Sequence, residues 1–406
     1  MDSKLILTFF ISLLHFSHSV LGLEKSLESV PDLEKLMYTS IDGYPCVRLL
    51  NLTAEIGCSN PGRAKVVAPV VRFNSVDNLT ESSALLVSLS DFEGLFTRLS
   101  KDSNYAKHVA GVLVEAGSGK QLKGYSPDKL FPQSEFAPYR NQDYVWNPSG
   151  SEVMWKAYNF PIFLLSDDAT LALGKVATKN ENKKKSYIMD VAEFDLEMQT
   201  TKSGTHDSES CLREGTCLPL GGYSVLSALP PLNVSSSQKS KPIILAITSM
   251  DSASFFRDKS LGADSPISGL ISLLAAVDAL SGLSGLDDFP KQLVFISFTG
   301  EAWGYLGSRR FLFDLDQHGG GIDGLDLSML EMVLEIGSVG RSSNHDVKTF
   351  FVHSEATSMT NKTLNALKYA QDSLKNDNIK ISMANTANPG LPPSSLMTFL
   401  NKVELD

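Results

Sequence analysis

The sequence predicts an α/β protein of two lobes, and three observations carry that expectation. The chain has 406 residues, 42% of them hydrophobic. That is enough for a large core and, at roughly 150 residues per domain, for more than one unit. From Pro242 onward, short apolar runs alternate with helical patterns, as in a parallel or mixed sheet covered on both faces. Between the halves lies NVSSSQKSK, residues 233–241, the most linker-like stretch of the chain. The expected division is a signal segment at 1–22, a small N-terminal α+β lobe at 23–235 and a large lobe at 236–406.

Taken in order, the first lobe opens with helical potential over Leu23 to Tyr38. Strand-like runs follow at Val66–Phe73, Ala84–Leu89, Val109–Val114 and Phe160–Leu165. Phe92–Leu99 and Asp168–Lys179 carry helical spacing. Gly117–Ser151, rich in Pro, Gly, Asn and aromatics, reads as an ordered surface loop; Asn180–Lys185 and Ser203–Gly215 read as loops. In the second lobe, strands are expected at Ile243–Thr248, Leu293–Phe298, Leu330–Ile336 and Lys348–His353. Helices are expected at Ile267–Leu280 (a core helix), Tyr305–Leu315 and Lys362–Leu374, the last with Leu364, Leu367 and Leu374 facing inward.

Composition narrows the function. The net charge of −10 argues against a nucleic-acid binder, which needs a basic face. Lys4 followed by the apolar LILTFFISLL, Leu5–Leu14, reads as a secretory signal with cleavage after Gly22. Ten apolar residues are too few to span a bilayer, and no later stretch is long enough; the chain as written is expected in the lumen of the secretory pathway or outside the cell. In that compartment Cys46, Cys58, Cys211 and Cys217 are expected as disulfides. Of three formal pairings, Cys46–Cys58 and Cys211–Cys217 close short loops. A zinc site competes, but there is no C-x-x-C element. Asn51, Asn78, Asn233 and Asn361 head Asn-x-Ser/Thr sequons and are expected glycan acceptors.

The chain is organised around LVFISFTGEAWGYLGSRR, residues 293–310. A buried strand ends here, Gly300 permits a tight turn, helical spacing begins at Ala302, and Glu301 sits at the corner. Carboxyl ends of strands are where open α/β sheets bind ligands; the plainer role for Glu301 is to complement the following helix. Two other corners join it: TSMDS, Thr248–Ser252, and GADSPISG, Gly262–Gly269. A Ser-hydrolase is disfavoured, because no Gly-x-Ser-x-Gly elbow occurs.

These three corners resemble the two-zinc aminopeptidases and glutamate carboxypeptidases, whose motifs read His-x-Asp-Ser, Gly-x-x-Asp-x-x-Ser-Gly and Glu-Glu-x-Gly-x-x-Gly-Ser. By that resemblance the large lobe is a zinc-aminopeptidase-like sheet covered by helices. The Gly and Ser frame is kept and the ligands are not. Ser249 stands at a zinc-binding His, next to the retained Asp251. Ser265 stands at the bridging Asp, Ala302 at a ligand Glu, and Glu335 at a ligand Asp. Glu301 keeps the position of the general base. A Ser hydroxyl is a poor zinc donor and Ala is none, so no zinc cofactor and no catalysis are expected.

MDSASFF (Met250–Phe256), GEAWGYLGSRR (Gly300–Arg310) and LPPSSLMTFL (Leu391–Leu400) narrow the resemblance to the nicastrin family, the large glycoprotein subunits of γ-secretase. The Cys46–Cys58 loop, WNP at Trp146 and NFPIFLL at Asn159 extend it over nearly the whole chain. The family's Asp-Tyr-Ile-Gly-Ser appears as Gly304-Tyr305-Leu306-Gly307-Ser308, so the Asp is replaced. The resemblance implies a non-catalytic subunit that assists assembly with presenilin and the other membrane subunits and screens the ectodomain stubs of membrane-protein substrates. It also implies continuation beyond residue 406, through the rest of the large lobe to one transmembrane helix. The chain as written is therefore expected to have a C-terminally incomplete large lobe and not to form a stable subunit. An active zinc exopeptidase and an inert truncated isoform are the alternative readings.

Overall fold

The computed structural model describes most of residues 40–402; the longest stretches outside the description are 118–152, 195–204 and 233–240. The signal segment, the Leu23–Tyr38 helix, most of the Gly117–Ser151 loop, and Asn51 and Asn233 therefore lie outside the described residues.

The first half begins with three short strands, β1 (Gly43–Pro45), β2 (Arg48–Leu50) and β3 (Glu55–Cys58). Next come β4 (Val66–Arg72), β5 (Ser83–Val87), helices α1 (Phe92–Lys101) and α2 (Ser103–Lys107), and β6 (Val109–Val114). They are followed by β7 (Ala157–Tyr158), β8 (Ile162–Leu165), helix α3 (Asp167–Asn182) and β9 (Val191–Phe194). The main sheet runs β1-β8-β6-β5-β4-β9. Its centre is parallel, with β4, β5, β6 and β8 side by side, and β9 closes one edge antiparallel. All five residues of β5 are buried, as expected of a parallel strand covered on both faces. Two helices carry side-chain caps that set their starts: Asp102 accepts from the N–H groups of Asn104 and Tyr105, and Ser166 from that of Ala169.

Helix α4 (Ser208–Glu214) lies within the stretch expected to be loop. The Asp207 side chain caps it through the Ser210 N–H, and Gly215 ends it at φ +64°. Seven residues of mixed polarity leave little periodicity to read, which is why only the cap marks it. Cys211–Cys217 ties its last turn, and Cys46–Cys58 staples β3 to the segment after β1.

The second sheet comprises β10 (Val225–Leu229), β11 (Ile243–Ser249), β12 (Gln292–Phe298) and β13 (Leu330–Glu335), in the order β10-β12-β11-β13. β11 runs parallel to both neighbours, and β10 is antiparallel at the edge. Helix α5 (Ile267–Ser281) connects β11 to β12, and α6 (Leu306–Asp316) follows β12. A parallel pair, β14 (Lys348–Val352) and β15 (Ile379–Met383), flanks helix α7 (Ser358–Ser373), and α8 (Leu396–Lys402) comes last. Leu374 lies past the end of α7 and is 45% exposed, whereas Leu364 and Leu367 are half-buried. The outer face of α5 differs from the core-helix expectation. Gly269 and Leu273 face the sheet, while Ile267, Ile271 and Leu274 are exposed.

Two cores form. One is built on Ile243, Leu245, Ile247, Val294, Ile296 and Phe298 with Phe311 and Phe399. The other belongs to the first sheet but includes Phe255, Phe256, Trp303 and Leu306 from the second half. Phe255 lies edge-on to Phe92, Phe96 and Tyr158, with centroids 5.8, 6.4 and 6.2 Å apart. The β11–α5 connection thus carries the first core's central aromatics.

Candidate functional site

β11, β12 and β13 end on the same side, and their C-terminal corners build the site. After β12, Gly300 (φ +85°) turns the chain into a single 3-10 turn, Glu301–Trp303, which Gly304 (φ +71°) stops. Tyr305 follows at φ +55°, a left-handed conformation that costs a bulky residue of order 1 kcal/mol. The helix begins at Leu306, one residue after the expected Tyr305, although helical spacing starts already at Ala302. This double break aims Glu301 back under the helix it precedes. Gly307 allows that approach: a Cβ there would lie 2.1 Å from the Thr299 carbonyl oxygen and 2.8 Å from Glu301 Oε1.

Glu301 is 4% exposed and fully engaged. Its Oε1 accepts the Ser308 N–H at 2.8 Å, its Oε2 accepts the Ser308 hydroxyl at 2.9 Å, and the Ser395 hydroxyl also donates to Oε2. Its own N–H donates to Asp251 Oδ2 at 2.7 Å. Asp251 Oδ1 pairs with Arg257 at 2.9 Å, and the Arg257 guanidinium stacks 3.4 Å from the centre of the Trp303 ring. The retained Asp of the first corner therefore braces the third corner.

Glu335, at the end of β13, is partly buried. It accepts the Leu396 N–H at 2.8 Å and the Ser395 N–H at 3.4 Å. Burial pushes both glutamates up to about 7; the hydrogen bonds each accepts pull the other way, and the Glu335 charge raises Glu301 further. The Tyr305 phenol is driven well above its ordinary value by burial and by the two glutamates.

The remaining positions point elsewhere. Ser249 Oγ accepts the Asp251 N–H at 3.0 Å and donates to the Asp251 carbonyl at 3.2 Å. Ser265 is exposed in the turn before α5. Ala302 packs against the first core. A turn-forming hydroxyl, an exposed hydroxyl and a methyl are not the His, Cys or carboxylate donors that zinc takes. Among the described residues, no group of three or more His, Cys, Asp or Glu is placed to hold a metal ion.

The Gly and Ser frame has its own task. Gly269 seats α5 under the loop after β13: a Cβ would lie 2.4 Å from the Ile336 carbonyl and 2.5 Å from that of Gly337. Ser268 Oγ accepts the Val339 N–H at 3.0 Å, and Asp264 Oδ1 accepts that of Gly340 at 2.9 Å.

Family models describing the nicastrin large lobe and the nicastrin small lobe match residues 242–404 and 45–200. Nicastrin of Arabidopsis thaliana is 58% identical over 380 residues, covering 93% of this chain and 56% of that protein. The chain belongs to the nicastrin family. Human nicastrin is 27% identical over 393 residues, covering 88% of this chain and 54% of its own. A crystal structure of the γ-secretase component nicastrin superposes with a TM-score of 0.64 at 25% identity, covering 91% of this chain and 66% of that one. The chain thus spans a little over half the length of these curated relatives.

In this nicastrin-family chain the structure gathers Ser249, Asp251, Glu301, Tyr305 and Glu335 at the strand ends, while Ser265 is exposed in the turn before α5. Ser308, Ser394, Ser395 and Arg257 belong to the same constellation and were not singled out by the sequence. The only signal for the serines was their place in GYLGS and LPPSS. Asn78 and Asn361 are exposed.

Proposed function

We propose that this chain acts as the nicastrin-type, non-catalytic subunit of γ-secretase, assisting assembly with presenilin and the other membrane subunits and screening substrate ectodomain stubs. The observation that carries the non-catalytic reading is the engagement of Glu301. A general base faces an activated water, whereas this carboxyl is buried and accepts three hydrogen bonds, from Ser308 and Ser395. Ala302 beside it offers no metal donor.

Two measurements test the reading. Metal analysis of the purified chain is expected to find no stoichiometric zinc, and aminopeptidase assays no turnover; about two zincs per chain with peptide cleavage would favour the zinc exopeptidase instead. For the subunit role, this chain replaces the matching region of Arabidopsis nicastrin, and presenilin is co-purified from membranes. Recovery comparable to the parent is expected; a glycosylated, transported chimera that brings down no presenilin refutes the role.

The chain is also proposed to enter the secretory pathway and to carry glycans at Asn78 and Asn361, whose exposure suits an N-linked sugar. Asn78→Gln and Asn361→Gln are each expected to remove one glycosidase-sensitive step in gel mobility.

A further inference from the structure

Three side chains from separate points of the chain converge on one tripeptide, Ser394–Leu396, which leads into α8. Glu301 accepts the Ser395 hydroxyl. Glu335 accepts the N–H groups of Ser395 and Leu396 and the Ser394 side chain. The Tyr305 phenol oxygen accepts the Ser394 N–H. Two neighbouring carboxyls, one buried and one partly buried, attract a cation, because each ionised form destabilises the other. Here the compensating donors come from the chain itself. The arrangement is reciprocal: the first N–H groups of a helix have no intrahelical partner, and those of Ser395 and Leu396 find the carboxyl of Glu335. Just downstream, Met397 and Phe399 are 0% exposed. Phe399 packs on Phe298 and Phe311 at 6.2 and 6.3 Å between ring centres. An apolar anchor therefore holds the same segment from its other side.

We propose that Ser394–Leu396 is an internal strap whose donors occupy this pair of carboxyls, so that the pair accepts neither a primary ammonium nor a divalent metal ion while the strap is seated. The inference rests on the non-catalytic reading and extends it. Ligand loss at 249, 265 and 302 removes the donors for a metal, and the strap takes the carboxyls that remain. The left-handed Tyr305 fits this role, because its backbone conformation is what places the phenol against Ser394.

Amide hydrogen exchange on the full chain tests the strap, with zinc chloride and leucinamide as the two cation probes. In the wild-type chain the Ser395 and Leu396 amides are expected to exchange at least about a hundredfold more slowly than in an unstructured peptide, and neither probe is expected to bind. Ser395→Ala is expected to speed their exchange about tenfold, and Ser395→Thr, which keeps the hydroxyl, to restore the slow rate. Unprotected amides at 395 and 396 in the wild type overturn the proposal without any variant being needed. So does binding of either probe to the wild type that Glu335→Gln abolishes. Zinc binding would sink the non-catalytic reading as well, whereas leucinamide binding alone would sink only the strap.

Discussion

At the scale of single residues, the two glutamates make a titration with a definite sign. Their folded values, about 7, lie above the ordinary 4.5. The folded chain therefore holds protons that the unfolded chain releases. This contribution is fully present below pH 4.5 and is lost as pH rises through 7, on the order of 3 kcal/mol for each carboxyl. Other carboxylates slope the opposite way at lower pH: Asp190, hydrogen-bonded by Lys179 and Lys183, and Asp207, bonded by Ser210, are both held below their ordinary value. The comparison that isolates the pair is between wild type and Glu335→Gln. The wild-type Tm is expected to fall more steeply between pH 5 and 7.5 than that of the variant. Parallel curves would show that the carboxyls do not take up protons on folding.

At the scale of elements, the packing of α6 on the end of β12 and of α5 on the end of β13 depends on missing side chains. Gly307→Ala places a methyl 2.1 Å from a carbonyl oxygen of the turn it closes. Backbone cannot move aside as a side-chain tip can, so the cost should exceed the usual 1–3 kcal/mol of overpacking. The expected outcome is a chain that fails to mature or melts at least about 8 °C lower. Gly94→Ala, in α1 with nothing within 4 Å of the added methyl, is the control and should leave Tm unchanged or slightly raised.

At the scale of the whole molecule, the β11–α5 connection unites what the sequence presents as two lobes. Phe255 and Phe256 are both 0% exposed within the core of the first sheet, and residues Tyr44–Asp406 cohere as one unit. Phe255→Ala should cost about 3–5 kcal/mol, typical of a buried aromatic, and should destabilise the first half although the residue lies in the second. Limited proteolysis that reports cleavage between β4 and β9 accelerating in this variant would confirm the coupling. A fragment spanning 45–200 alone should expose that aromatic surface and bind a hydrophobic dye; a fragment that folds cooperatively without dye binding would contradict it.

Much of the fold was legible in the sequence because strand and helix periods are local. β11, β12, β13, α5 and α6 fall within two residues of expectation, since their apolar runs are long and end at Gly or polar turns, whereas α7 starts four residues before the expected Lys362. The residue types at 249, 265 and 302 were legible too: a neutral Ser hydroxyl is a poor zinc donor and an Ala methyl is none. The sequence could not show which groups satisfy Glu301 and Glu335. Glu301 and Ser395 are 94 residues apart, and no local pattern distinguishes a serine that donates to a buried carboxyl from one in a solvent-facing turn. Nor could periodicity foresee that Tyr305 interrupts the helical run, or that two phenylalanines of the second half complete the core of the first. Those facts depend on which strand ends meet in space. Residue types determined which donors stand at each corner, and the tertiary structure alone decided which groups satisfy the two carboxyls, because those partners are far apart in the chain.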